Sequence, residues 1–198
     1  MNPEGIEPVH GNFTVVFDAC VLYPALLRNV LLQLATTELF RARWTEAIHD
    51  EWTRSLQADK PDITAAKLAA YRQAMNDSVP DCIVTGYEPL MKGLMLPDAN
   101  DCHVLAAAIR CRAEVIVTAN LRDFPDEVLA PLGVRAEHPD EFVLHLIDLA
   151  PATVCVAMKT VRSRLRKPPH TAEELLERLA EHGLVGSASK LREFAQML

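Results

Sequence analysis

Short apolar runs alternate along the chain with longer segments whose apolar residues recur every three or four positions. Residues 13–17 and 115–117 are apolar and rich in β-branched or aromatic side chains, which is typical of buried strands. Residues 82–85 and 133–136 predict two more short strands, the second at a sheet edge. Because helical segments separate the strands, the pattern predicts a parallel sheet with helices on both faces.

The helical segments have apolar faces that can cover such a sheet. Between residues 44 and 56, the side chains of Trp44, Ile48 and Trp52 fall on one face. A leucine stripe predicts a helix over residues 24–40. Further helical segments are predicted over residues 62–75, 87–94 and 138–149 and from about residue 101 onward. The helices and strands together fit an α/β fold.

The composition of the chain changes after residue 150. Residues 151–170 contain no acidic residue. The basic residues there are Lys159, Arg162, Arg164, Arg166 and Lys167. A basic helix face is usually only solvated, and contact with RNA or with an acidic partner is the alternative interpretation. Thr171 and Glu174 then form the pattern of a capping box, which predicts a helix ending near His182, before a last helix over about residues 189–198.

These patterns divide the chain into three predicted parts. Residues 1–12 form an N-terminal extension, residues 13–149 the main domain, and residues 150–198 a helical C-terminal extension. The chain has 198 residues, of which 49% are hydrophobic, and a net charge of −7. This composition is that of a globular domain, and we find neither a bilayer-length apolar run nor a signal peptide. We therefore expect a cytoplasmic protein.

Cysteine and histidine give no sign of disulfide or zinc chemistry. The five cysteines are odd in number and show no C-x-x-C spacing, and the seven histidines are scattered. A disulfide framework and a zinc site are therefore both disfavoured.

Acidic residues follow the two strongest strand predictions. Asp18 comes directly after residues 13–17, and Thr118, Asn120 and Asp123 follow residues 115–117. The carboxyl ends of parallel strands meet at one edge of a sheet, where ligands of such folds bind. An aspartate at the end of a strand is also often only a helix cap or a turn former. The sequence therefore predicts that these polar side chains share an edge without fixing their role.

Further acids come from predicted helices. Glu51 falls inside the apolar arc of its helix, where a carboxylate is costly unless it is paired or bound to metal. Asp98 and Asp101 lie at the start of an alanine-rich helix, where Asp98 can act only as a cap and Asp101 only as a complement to the positive end of the helix dipole. Clustered carboxylates without His or Cys ligands favour Mg²⁺ or Mn²⁺ and, with it, phosphoryl hydrolysis.

The order of these motifs resembles that of a PIN domain. Residues 15–22, Glu51, residues 98–108 and residues 117–125 look like the VapC-like ribonuclease toxins of bacterial toxin–antitoxin modules. The resemblance implies a three-layer α/β/α sandwich around a parallel sheet and a Mg²⁺-dependent endoribonuclease acting on structured RNA such as tRNA or rRNA. It also implies a homodimer and inhibition by a small antitoxin protein.

By motif position, the resemblance makes four acids the catalytic and metal-binding residues, namely Asp18, Glu51, Asp101 and Asp123. Thr118 and Asn120 match supporting polar residues. Asp98 is an additional acid, so either Asp98 or Asp101 could be the closer metal ligand. The C-terminal extension goes beyond a minimal PIN domain, and the net charge of −7 is unusual for a protein that binds a polyanion.

Three other functions were considered. A phosphoacceptor receiver domain needs a lysine after a later strand, and residues 125–150 contain none. An aspartyl phosphatase would need Asp-x-Asp after the first strand, where Cys20 stands instead of the second aspartate. A PIN-fold binding module without catalysis remains an alternative, although all four acid positions are filled.

Overall fold

The protein is built around one parallel β-sheet, seen in a computed structural model that describes residues 13–166 and 168–198. The sheet has the strand order β2-β1-β3-β4, and each neighbouring pair runs parallel. The strands are β1 (Thr14–Phe17), β2 (Arg41–Arg43), β3 (Val115–Val117) and β4 (Arg135–Glu137). The predicted parallel sheet is therefore confirmed. The N-terminal extension predicted for residues 1–12 lies outside the described residues, as does Lys167.

Helices cover the sheet and complete a three-layer α/β/α sandwich, as the PIN resemblance implied. They are α1 (Ala19–Leu22), α2 (Ala25–Ala35), α3 (Glu46–Asp59), α4 (Ala65–Ser78), α5 (Glu88–Met91), α6 (Cys102–Cys111), α7 (Asp126–Leu129), α8 (Pro139–Leu149), α9 (Pro151–Arg164), α10 (Ala172–Glu181) and α11 (Val185–Arg192). Short 3₁₀ turns span Ala99–Asp101, Leu121–Asp123, Ala130–Leu132 and Ala195–Met197.

The second predicted strand, over residues 82–85, is wrong. Only Ile83 forms an isolated parallel bridge, with Trp44. The actual second strand, β2, has the sequence Arg-Ala-Arg, and only its central Ala42 is buried, at 1% exposure. An edge strand needs little apolar surface, so this one leaves no hydrophobic run in the sequence. The helix predicted over residues 24–40 ends at Ala35, which leaves room for β2.

One hydrophobic core joins the sheet to the C-terminal helices. Phe17 of β1 stacks on Trp44 with ring centroids 6.4 Å apart and meets Phe142 of α8 edge-on at 6.3 Å. Val154 and Met158 of α9 are fully buried in the same core. The C-terminal helices therefore contribute to the packing of the sandwich.

A carboxylate on α8 fixes the start of α11. The two oxygens of Asp140 accept hydrogen bonds from the backbone N–H groups of Gly186 and Ser187, each at 2.8 Å. The last helix therefore begins at Val185, earlier than the predicted residue 189, because its cap comes from another helix. By contrast, the predicted capping box of α10 is confirmed, with Thr171 and Glu174 bonding each other's backbone N–H groups. Among the described residues, no helix is long and apolar enough to cross a lipid bilayer.

Candidate active site

Asp18 is held at the carboxyl edge of the sheet, between β1 and α1. Its backbone N–H donates to the carbonyl of Val117 at 3.1 Å, which aligns the ends of β1 and β3. Its carboxylate is 3% exposed and accepts a hydrogen bond from the N–H of Ala19 at 2.6 Å. Asp18 is thus the N-cap of α1, which is one of the roles expected for an aspartate at the end of a strand. Its second oxygen faces the polar residues that follow β3.

Thr118 and Cys20 fix that second oxygen. The Thr118 hydroxyl donates to Oδ2 of Asp18 at 2.7 Å and accepts the N–H of Asn120 at 3.0 Å. The Cys20 thiol donates to the same Oδ2 at 3.0 Å. Burial and the adjacent Asp18 carboxylate raise the pKa of the Cys20 thiol to about 12, so it stays protonated as a donor. The Asp18 side chain therefore has a fixed orientation.

Asp98 and Asp101 differ in what their side chains do. The Asp98 carboxylate accepts the N–H of Asn100 at 2.8 Å and so caps the 3₁₀ turn that leads into α6. Asp101 stands at the N-cap position of α6 with helical backbone angles and makes no side-chain capping bond. Asp98 is exposed, whereas Asp101 is half-buried. The capping interpretation therefore holds for Asp98, whereas Asp101 makes no capping bond and lies at the positive end of α6.

The acids surround Asp101 closely enough to change its ionisation. Burial raises the pKa of Asp101 to about 7, and repulsion from neighbouring carboxylates adds to the effect. These neighbours are Asp18, Asp98, Asp123 and Glu51. The acids predicted from separate strands and helices are therefore neighbours in the fold.

Glu51 faces this cluster from α3, with His103 of α6 beside it. The Nε2 atom of His103 lies 3.4 Å from Oε2 of Glu51. The Nδ1 atom of His103 is buried and has no hydrogen-bond partner among the described residues. The imidazole therefore lies against the Glu51 carboxylate, two residues after Asp101 in the sequence.

An open cleft of about 540 Å³ collects these side chains. It lies between α3, the entry to α6 and the turn after β3. Its polar lining comprises Asp50, Glu51, Arg54, Asp98, Asn100, Asp101, His103, Asn120 and Asp123. Asp18 does not line the cleft. It is buried and accepts a hydrogen bond from Thr118. Five of the seven acids and polar residues that the sequence singled out line this cleft, whereas Asp18 and Thr118 are buried and bonded to each other.

Comparison with known families agrees with this arrangement. A family model described as "PIN domain" matches residues 14–122, which is more than half of the chain. The chain belongs to the PIN domain family. Within the chain, this match spans the elements from β1 to the turn that carries Asp123, so it includes nearly all of the cluster.

Two further comparisons concern a relative of the PIN domain described here. A second family model, "VapC50 C-terminal domain", matches residues 139–193. The protein "Putative ribonuclease VapC50" from Mycobacterium tuberculosis is 46% identical over 97 residues, covering 48% of this chain and 56% of the relative. The chain thus spans about half the length of this curated relative. No solved structure matches the chain.

The donor set of this PIN domain suits a hard divalent cation. Its grouped side chains are carboxylates, and mutual repulsion already disfavours ionisation of Asp101. Oxygen-only ligands select Mg²⁺ or Mn²⁺ over softer metals. Within residues 13–166 and 168–198, no group of three or more His, Cys, Asp or Glu side chains is placed so that it could hold a metal ion. The cluster therefore supplies the ligand type for such an ion without a closed coordination shell.

The basic residues of the C-terminal extension that the structure describes do not line the acidic cleft. Lys159, Arg164 and Arg166 are exposed, and Arg162 donates to the carbonyl of His170 at 3.3 Å. Lys167 lies outside the described residues. A role of this stretch in binding RNA or a partner stays a prediction.

Sequence reasoning missed several side chains of the site, among them Cys20 and His103. Cys20 was considered only as the residue that breaks an Asp-x-Asp motif, and His103 only as a scattered histidine. The spacing of His103, two residues after Asp101, gave no metal-ligand signal, because its contact is with Glu51 on another helix. Contacts between helices far apart in sequence leave no local pattern.

Proposed function

We propose that this PIN domain is a metal-dependent endoribonuclease that hydrolyses phosphodiester bonds in structured RNA, such as tRNA or rRNA. We further propose that it acts in the cytoplasm as the toxin of a toxin–antitoxin pair, as a homodimer restrained by a small antitoxin protein. The similarity to a protein named as a VapC ribonuclease supports the nuclease activity. The RNA class, the antitoxin and the dimer rest on the family resemblance.

The observation that carries this proposal is the raised pKa of Asp101. Burial and four surrounding carboxylates bring it to about 7. A fold does not gather repelling acids for stability, because each unpaired charge costs free energy. Perturbed carboxylates in a cleft are instead typical of catalytic sites. The cluster therefore supports a site whose charge is completed by a bound cation.

In the proposed site, Asp18, Glu51, Asp101 and Asp123 hold Mg²⁺, for which Mn²⁺ can substitute. When bound, the cation would neutralise charge on the phosphodiester. It would also lower the pKa of a water molecule, which could then lose a proton and attack the phosphorus. Asp18 is the most rigid of these acids, because Thr118 and the N–H of Ala19 fix both of its oxygens. Asp101 has no such bond and remains available. Asp98 supports the site by capping the turn that presents Asp101.

Cleavage by purified protein tests this function. Total bacterial RNA is incubated with the full chain and Mg²⁺ or Mn²⁺, and new 5′ ends are mapped by sequencing. We expect discrete cuts that disappear in EDTA and fall at least 100-fold in Asp101→Asn, consistent with the loss of a group acting in the transition state. Asp101→Asn is the sharpest variant, because its side chain makes no capping bond that the amide would lose.

Asp126→Asn, on α7, is the matched control and should cut at the wild-type rate. Asp98→Asn separates the two candidate ligands and should retain most activity, because an asparagine can still cap the turn. Folded protein free of antitoxin that makes no cuts under any metal would contradict the nuclease proposal. That result would favour the non-catalytic binding module instead.

A further inference from the structure

A second cleft lies between α2, α4 and the end of α9. It has a volume of about 370 Å³ and shares no lining residue with the acidic cleft. Its lining contains no Asp or Glu, although the chain carries a net charge of −7. Two arginines, Arg28 and Arg164, supply its charge. The cleft is therefore a local cationic site on an acidic protein.

Arg28 is a buried cation without a counter-charge among the described residues. It is 7% exposed, and its Nη1 donates to the carbonyls of Leu22 at 2.6 Å and Tyr23 at 3.2 Å. The Nε and Nη2 atoms make no hydrogen bond to another described residue and are not among its fully buried polar atoms, so they reach solvent. A guanidinium held in place with donors open to the cleft can bind an incoming anion through charge-assisted hydrogen bonds.

Aromatic rings hold the Arg28 guanidinium in place without neutralising it. Its central carbon lies 4.7 Å from the ring centroid of Trp52 and 5.9 Å from that of Tyr71. The ammonium group of Lys67 lies 6.0 Å from the Tyr71 ring, so a further cation stands nearby. Burial lowers the pKa of Arg28, but an arginine stays protonated at neutral pH. The guanidinium is thus pre-oriented and charged.

Arg164 adds a second guanidinium from the last position of α9. It is exposed and forms no ion pair with another described residue. A planar guanidinium matches the oxygens of a phosphate in pairs. The Tyr71 ring offers a surface on which a base can stack, and the volume suits a small ligand.

We infer that this cleft binds the phosphate of a nucleotide unit, with Arg28 inside and Arg164 at the opening. The same chemistry is offered by a free nucleotide and by one nucleotide of an RNA chain. In the RNA case the inference rests on the proposed function and makes the cleft a second contact for the substrate. In the free-nucleotide case it stands independently of nuclease activity.

Binding to the full chain in EDTA tests the cleft, because no RNA is cut and no metal bridges the acids. The probes are adenosine monophosphate by calorimetry, a labelled 12-nucleotide RNA by fluorescence anisotropy, and polyglutamate of equal charge. We expect Arg164→Gln to raise the Kd for the nucleotide or the RNA about fivefold to tenfold, the loss of one exposed charge-assisted contact. Lys92→Gln removes the same charge from an exposed residue outside both clefts and should change Kd less than twofold.

Arg28 is followed in the wild-type protein, because replacing it removes bonds to two carbonyls and can unfold the chain. The side-chain Nε–H signals of Arg28 and Arg164 in nitrogen-15 NMR spectra should shift on addition of adenosine monophosphate or RNA. The signal of Arg192, paired with Glu173, should not move. Shifts with RNA alone would assign the cleft to RNA, and shifts with both probes to a nucleotide unit in general.

Three results would overturn the inference. They are an unmoved Arg28 signal with both probes, equal weakening by Lys92→Gln and Arg164→Gln, and binding of polyglutamate alone, which would indicate an acidic protein partner. The outcome is separable from nuclease activity. If RNA is cleaved and Arg164→Gln leaves binding unchanged, the second cleft is contradicted and the nuclease proposal stands. If nucleotide binds at the second cleft but no RNA is cleaved, the nuclease proposal is contradicted and the second cleft stands.

Discussion

Two carboxylates in this molecule stand at the start of a helix but have opposite surroundings. One accepts backbone N–H bonds, and the other makes none and lies among other acids. Asp140 accepts two backbone N–H bonds at 2.8 Å from the first turn of α11. Asp101 stands at the start of α6, makes no capping bond, and has its pKa raised to about 7, first by burial and then by other acids. The first carboxylate is satisfied and stabilises the fold. The second is repelled by its neighbours, and the proposed metal site rests on that repulsion.

Removing the satisfied carboxylate should have the largest effect. Asp140→Ala leaves the amides of Gly186 and Ser187 without their acceptor, and we expect it to lower the free energy of unfolding by about 3 kcal/mol. Urea unfolding followed by circular dichroism measures the change. Asp148→Ala, an exposed residue on the same helix, should cost less than about 0.5 kcal/mol. Equal effects of the two variants would contradict the role of Asp140.

Thr118→Val should have the next largest effect on stability, because it removes a hydrogen-bond donor from the buried Asp18 carboxylate. The substitution keeps the shape of the side chain and removes the hydroxyl bonded to Asp18 and to the N–H of Asn120. We expect a loss of about 2 kcal/mol in urea unfolding. We also expect slower RNA cleavage with the cut sites unchanged. Wild-type stability would show that the Cys20 thiol and Ala19 amide suffice to hold Asp18.

Unlike the two preceding substitutions, Asp101→Asn should raise the free energy of unfolding. The folded pKa of Asp101 is raised above its ordinary value of 3.8 to about 7, so ionisation removes stability as the pH rises through that window. After allowance for solvent screening, we expect the metal-free variant to be more stable than wild type by about 1 to 2 kcal/mol at pH 8. The two proteins should be equal near pH 4.

Thermal unfolding in EDTA at both pH values measures this difference. Mg²⁺ should raise the Tm of the wild-type protein at pH 8 and should raise that of Asp101→Asn less, because the cation replaces the missing counter-charge. A variant less stable than wild type at pH 8 would mean that Asp101 has a stabilising partner.

An exposed ion pair should give the smallest effect. Arg72 contacts Glu46 and Asp50 on α3, and the Glu46 side chain is 57% exposed. We expect Glu46→Gln to cost about 0.5 kcal/mol or less, because water screens the pair. Urea unfolding in low and high salt measures it. A cost as large as that of Asp140→Ala would break the distinction between buried amide partners and surface charges.

The parts of the fold that the sequence predicted are those written in local patterns. The apolar runs of β1 and β3 and the capping box of α10 each lie within a few neighbouring residues. The order of the acids along the chain also placed Asp18 and Asp123 at one edge. Local periodicity and strand-end logic carry this information directly.

What the sequence did not predict depends on distant partners. β2 has one inward side chain, Ala42, and is recognisable only beside β1. The start of α11 depends on Asp140, which lies 46 residues before Gly186. The choice between Asp98 and Asp101 likewise needed the observation that only Asp98 caps a turn. Whether these residues act on a metal stays a prediction.

The core shared by the sandwich and its C-terminal helices limits how such genes can be recombined. Val154 and Met158 are buried in the same core as Phe17 and Phe142. A gene shortened after α8 would encode a protein that exposes the apolar surface normally covered by α9. Such a protein would be prone to aggregation and degradation. The matched C-terminal family begins at residue 139, the first residue of α8. An exchange of this extension between relatives would therefore have to carry α8 with it, so that Asp140 travels with the helix it caps.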